Sequence, residues 1–198
     1  MPPLAKVKKQ FGVALGDCRA LYRHCLNPVA THSDAGVEAA FLQMYKAWEA
    51  LLEDCTLAFL CGRLRCDGRV VSCEARMTSE EIARVFLYQD RPFIEWTDID
   101  RTVDRWNRMF TQPNLLDSAV RAAKTELRQM STIRNAIAHS SPASVNKFRT
   151  LVQNQFGGNP TITRPAMFLV SAYPVDPTRT FFDRYADILD VASNQLTG

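Results

Sequence analysis

Arg134 and His139, in the run Arg134-Asn135-Ala136-Ile137-Ala138-His139, are the residues of this chain best suited to chemistry. An arginine supplies a permanent cation whose planar fork of donors matches a phosphate, and a histidine carries a proton near neutral pH. Together they are the pair needed to cleave a phosphodiester without metal. His139 is one of three histidines in 198 residues. Arg134 falls within an apolar helical pattern, where an unpaired charge is costly and calls for a partner or a ligand.

The element that must position this pair is a long helix predicted over about residues 114–140. It opens after Gln112-Pro113-Asn114 and ends at the Ser140-Ser141-Pro142 break. At about 100° per residue, Val120, Ala123, Leu127, Met130 and Ile137 form an apolar stripe with Arg134 inside it. Arg121, Lys124, Arg128, Asn135 and His139 gather on another face, which is basic and polar along its length. Blander explanations exist for each feature. An arginine can snorkel or pair with a carboxylate such as Glu49 or Glu53, a histidine in a last turn suits the helix dipole, and a basic face is commonly just solvated. All three must coincide in one short window.

The rest of the chain reads as helical. Leu4, Val7, Phe11, Leu15, Cys18, Tyr22 and Cys25 recur at the spacing of one helix face, and Asn27-Pro28 ends that helix. A looser stretch from His32 to Gly36 leads to a second helix with Val37, Phe41, Met44, Trp48, Leu51, Cys55 and Phe59 on one side, stopped near Gly62. Asp67-Gly68 between short strand-like pieces predicts a small β-hairpin. Thr78-Ser79-Glu80-Glu81 reads as a capping box opening a short helix to about Tyr88, broken by Arg91-Pro92-Phe93. Asp98 or Asp100 begins another helix reaching Phe110. A further helix is expected over 143–155, stopped by Gly157-Gly158. Residues 159–177, with four prolines, read as a loop with a short extended piece at 167–170. Asp176-Pro177 predicts the start of a C-terminal helix over about 177–196. The expected architecture is an all-α bundle in a single domain over 1–198, with one irregular arm.

Composition sets bounds. A content of 46% hydrophobic and 23% charged residues is that of a globular protein, and a net charge of +3 permits an RNA or phosphate partner without pointing to one. The start Met1-Pro2-Pro3-Leu4-Ala5-Lys6 lacks a signal-peptide pattern, and the apolar-rich segment 41–61 is interrupted by Lys46, Glu49, Glu53 and Asp54. A cytoplasmic protein with no membrane association is therefore expected. Reduced thiols follow for Cys18, Cys25, Cys55, Cys61, Cys66 and Cys73. Cys61, Cys66 and Cys73 lack a Cys-x-x-Cys pair and a nearby histidine, so a structural metal is not expected.

The segment 134–139 resembles the Arg-x4-His signature of HEPN domains, including the polar residue after the arginine. The helix Phe41-Leu42-Gln43-Met44-Tyr45-Lys46-Ala47-Trp48-Glu49-Ala50-Leu51-Leu52-Glu53 looks like the first helix of the HEPN branch related to RNase LS and PSP-type nucleases, where an aromatic and an acidic residue recur. The likeness covers 119–142 and, more weakly, 37–60. It implies a four- to five-helix bundle with extra peripheral helices that forms a homodimer. The two motifs of such a dimer meet in one composite RNA-cleaving site that needs no metal and no cofactor. In that picture Arg134, His139 and Asn135 are catalytic, Glu49 or Glu53 supports Arg134, and Arg121, Lys124 and Arg128 follow the RNA backbone. A toxin or defence role, with a cognate antitoxin as partner, belongs to the same resemblance. Two other classes fit the residues. One is a catalytically silent HEPN-like module binding RNA, a nucleotide or a protein. The other is a helical scaffold in which Arg134 and His139 are structural.

Overall fold

The computed structural model describes residues 3–27, 33–89, 94–96, 98–111, 115–139, 141–158 and 161–198. The predicted breaks at Pro28, Arg91-Pro92-Phe93, Gln112-Pro113-Asn114 and Ser140 lie outside the described residues, as do His32, Asn159 and Pro160. The helices are α1 (Leu4–Cys25), α2 (Ser33–Leu60), α3 (Glu80–Tyr88), α4 (Ile99–Met109), α5 (Leu115–Val120), α6 (Lys124–Ala138), α7 (Pro142–Phe156), α8 (Pro165–Val170) and α9 (Phe181–Thr197). A 3-10 turn, Arg121–Ala123, joins α5 to α6, and strands β1 (Ala172–Tyr173) and β2 (Asp176–Thr180) form a small antiparallel sheet. Among the described residues the fold is all-α with this small sheet. No helix among the described residues is long and apolar enough to cross a membrane.

Two compact units are formed. The first comprises Met1–Val13, Ala47–Lys124 and Asp190–Gly198, and the second Ala14–Lys46 and Thr125–Leu189. In the first unit Phe11, Trp48, Leu51, Cys55, Phe59, Trp106 and Phe110 are buried. Trp106 meets Phe59 edge-on at 5.7 Å. Its indole N–H needs an acceptor once buried. It donates to Thr56 Oγ1 at 2.8 Å, and that hydroxyl donates in turn to the Leu52 carbonyl at 2.6 Å. Gly62, at φ +69°, stops the chain after α2. Leu64 and Val70 pair across the Asp67-Gly68 turn as an isolated antiparallel bridge.

In the second unit Tyr22 stacks on Phe182 with ring centroids 4.0 Å apart, and Phe41, Phe168, Phe181 and Tyr185 complete an aromatic core. Gly36 lies in the first turns of α2, within the segment read from sequence as loose. A Cβ there would collide with Cys25 Sγ, so the glycine allows α1 and α2 to approach.

Three expectations are corrected. Residues 167–170 are helical, because Pro165 takes the first position of α8, where its fixed φ and missing N–H suit a helix start. Asp176-Pro177 opens strand β2 and not the last helix. Asp176 Oδ1 accepts from the Thr178 N–H and hydroxyl, which holds a turn, and α9 begins at Phe181. The working cap is reciprocal: Asp183 Oδ2 accepts from the Thr180 N–H, and Thr180 Oγ1 accepts from the Asp183 N–H. The long motif helix is interrupted by the 3-10 turn at 121–123.

Candidate active site at the end of helix α6

The apolar face of α6 is Leu127, Met130 and Ile133, all buried. Ile133, absent from the sequence-derived stripe, occupies the inward position. Arg134 sits at the edge of that face and is half-buried, as is Ile137. Its charge therefore never enters the core.

Within the second unit, two polar ties fix α6. Tyr185 donates its hydroxyl to Gln129 Oε1 at 3.0 Å, and Arg184 Nη2 pairs with Glu126 Oε1 at 2.9 Å. Sequence reasoning missed both. The i, i+3 pair Glu126 and Gln129 on an otherwise apolar side of the helix was the available signal.

The motif itself is built around Asn135. Its Oδ1 accepts a 3.0 Å hydrogen bond from Arg134 Nη1, and its carbonyl accepts the His139 N–H at 2.9 Å. On a continuous helix Arg134 and His139 would point about 140° apart. α6 ends at Ala138, the His139 N–H stays tied to the last turn, and the residue is exposed. Beyond it, Ser141 caps α7 by accepting from the Ser144 N–H at 3.2 Å, with Pro142 at the first helical position. A guanidinium, an amide and an exposed imidazole thus occupy one helix terminus. Such a set can hold a phosphate and move a proton beside it.

The other predicted residues are engaged locally. Arg121 pairs with Asp117 at 2.7 Å, and Lys124 with Asp100 at 2.9 Å, so the basic strip is partly neutralised in the first unit. Arg128 is exposed on α6 in the second unit. Glu53, expected beside Arg134, spends Oε1 on Arg84 Nη1 and on the Tyr88 hydroxyl, each at 2.7 Å. Burial, together with that bond to Glu53, pushes the Tyr88 phenol up to about 12. Glu49 lies one turn earlier on α2.

The cysteines are all free thiols, with Cys18, Cys25 and Cys55 buried. Burial pushes the Cys55 thiol well above its ordinary range, which suits a small core residue. Among the described residues no cluster of three histidine, cysteine or acidic side chains is placed to hold a metal ion.

Comparison with family models, curated proteins and solved structures gives no match for this chain.

Proposed function

We propose that this protein is a metal-independent endoribonuclease whose site is built by Arg134, Asn135 and His139. The observation that carries the reading is the Arg134–Asn135 hydrogen bond one turn below an exposed His139, at a helix end. RNA supplies the nucleophile in its 2′-hydroxyl. That oxygen attacks the adjacent phosphorus, the bond to the 5′-oxygen of the next nucleotide breaks, and the products are a 2′,3′-cyclic phosphate and a free 5′-hydroxyl. His139 takes the 2′-hydroxyl proton or gives one to the leaving oxygen. Arg134 holds the non-bridging oxygens as charge accumulates, and Asn135 fixes the guanidinium.

A second copy of the chain contributes to this reading through the HEPN resemblance. Two protomers related by a two-fold axis bring both motifs to one cleft, where substrate phosphate offsets the mutual repulsion of the arginines. A toxin or defence role, with a cognate antitoxin as partner, is proposed on the same resemblance.

Incubating the purified protein with total RNA in EDTA tests the chemistry directly. Fragments ending in 2′,3′-cyclic phosphate are expected. Intact RNA, or cleavage that appears only when magnesium is restored, rules the reading out.

A further inference from the structure

Helix α3 carries apolar side chains on two sides. Ala83 and Leu87 are buried, while Ile82 is 48% exposed and Val85 72% exposed. Apolar residues scattered singly over a surface need no explanation. These two lie one turn apart, and Ile82 is followed at i+4 by the half-buried Phe86. Isoleucine and valine are also poor choices for exposed positions of a nine-residue helix, where alanine, leucine, glutamate or lysine holds the helix better. Burial against another molecule would offset that weakness.

Phe86 leads into a groove of about 350 Å³ between α3 and α4 in the first unit, with Gln89 on the α3 side and Met109 on the α4 side. The α4 wall is a stripe of Arg101, Arg105 and Arg108, spaced i, i+4 and i+7 and so aligned along one side of the helix. Like charges at that spacing weaken a helix left to itself. Arg105 is held with its guanidinium 5.5 Å over the buried Trp96 ring. Arg101 pairs through Nε with Asp98 at 3.3 Å, but its side chain is 74% exposed and such a pair adds little. Arg108 is exposed and has no ion pair among the described residues, although Asp104 stands four residues before it. The groove therefore presents cations to carboxylates supplied from outside.

We propose that the α3–α4 face docks an amphipathic helix of a partner protein, apolar along one side with acidic residues beside it. The apolar side covers Ile82, Val85 and Phe86, and the carboxylates reach the arginine stripe, whose planar guanidiniums match them. The charge pattern selects this occupant. Asp98 and Asp104 lie among the three arginines. A surface of unbroken negative charge, whether a bilayer or a nucleic-acid strand, meets repulsion there beside each attraction. A phosphodiester backbone also brings only charge and hydrogen-bonding groups to Ile82 and Val85. A helix sets single carboxylates and single leucines at chosen positions, and so satisfies both parts of the face. The site belongs to the first unit and does not depend on the ribonuclease reading.

The test is fluorescence anisotropy with full-length protein and a labelled synthetic peptide of about 15 residues, with leucines at i, i+3, i+4 and i+7 and glutamates on the flanks. A second peptide carries lysine at each glutamate. Saturable binding of the glutamate peptide is expected, and none of the lysine peptide. Arg108→Glu should weaken binding about tenfold at low salt and flatten its salt dependence. Val85→Ser should weaken it about fivefold and keep the salt dependence of the parent. Both positions are exposed, so each variant should melt like the parent. Equal affinity for the two peptides, equal affinity of the parent and both variants, or no saturable binding below about 1 mM overturns the proposal. So does tighter binding of phosphatidylserine vesicles or of a short single-stranded RNA that Arg108→Glu abolishes, because that assigns the face to a membrane or to RNA.

Discussion

Replacing His139 with alanine separates catalysis from stability, and the structure sets the size of both effects. The imidazole is exposed, and the backbone N–H of this residue donates to the Asn135 carbonyl, a bond that alanine keeps. Surface substitutions of this kind stay within about 0.5 kcal/mol. For a chain of this length that is a shift in Tm of less than about 2 °C. A positioned general acid or base contributes roughly 10²–10⁴ in rate, or about 2.7–5.4 kcal/mol at about 1.36 kcal/mol per decade. His139→Ala should therefore cut cleavage by at least about a hundredfold with an almost unchanged melting curve. Arg134→Ala should do both kinds of damage. It removes a half-buried guanidinium and its 3.0 Å bond to Asn135, a loss of about 1 kcal/mol after allowance for solvent access. Arg134→Lys keeps the charge and loses the planar fork, so its activity should fall nearly as far as that of the alanine variant. The assay is single-turnover cleavage of a labelled RNA at saturating enzyme, with circular-dichroism melts of each variant. Wild-type cleavage by His139→Ala removes the histidine from the mechanism. A collapse of Tm in the same variant would instead make the residue structural.

Mixed dimers formed from Arg134→Ala and His139→Ala protomers should show an activity that neither parent dimer predicts, read by cleavage after co-refolding; purely additive activity refutes a composite cleft. Thr56→Val leaves the buried Trp106 indole N–H without its acceptor and should cost about 1–3 kcal/mol in urea denaturation, whereas Thr56→Ser should recover most of that. Burial, with the nearby Asp183 carboxylate adding to it, pushes the Tyr22 phenol up from 10.0 to about 12, against the opposing effect of its hydrogen bond with Thr180. Between those values the unfolded chain releases a proton that the folded protein still holds. Stability present below pH 10 should thus be lost as pH rises through 12, by roughly 2–3 kcal/mol for this residue. Tyr22→Phe should flatten that fall in alkaline denaturation curves, and an unchanged slope in the variant would show that other groups cause it.

What the sequence determined by itself is the set of long helices and their inward faces. Leu4, Val7 and Phe11 in α1, and Phe41, Met44, Trp48 and Leu51 in α2, recur at helical spacing and are buried. The repeat of a regular helix is fixed by local backbone geometry, so the pattern of side chains reports it directly. The starts of α3 and α4 were legible for the same local reason, although Thr78-x-x-Glu81 and Asp100 competed in the sequence; Ser79 and Asp98 are the caps, each accepting from an N–H three residues on. Where two local signals compete, packing chooses between them. Asp176-Pro177 and the Thr180/Asp183 pair can each open a helix, and β1–β2 pairing gives the start to the second. The position of Arg134 was decided only in three dimensions. Neighbouring residues of a helix compete for its inward face, and packing buries Ile133 and leaves Arg134 at the edge, a choice that spacing alone did not make. Partnerships between distant residues, such as Tyr185 with Gln129 and Glu53 with Arg84, were equally invisible. They depend on which helix faces which, and hydrophobic burial sets that without regard to sequence distance.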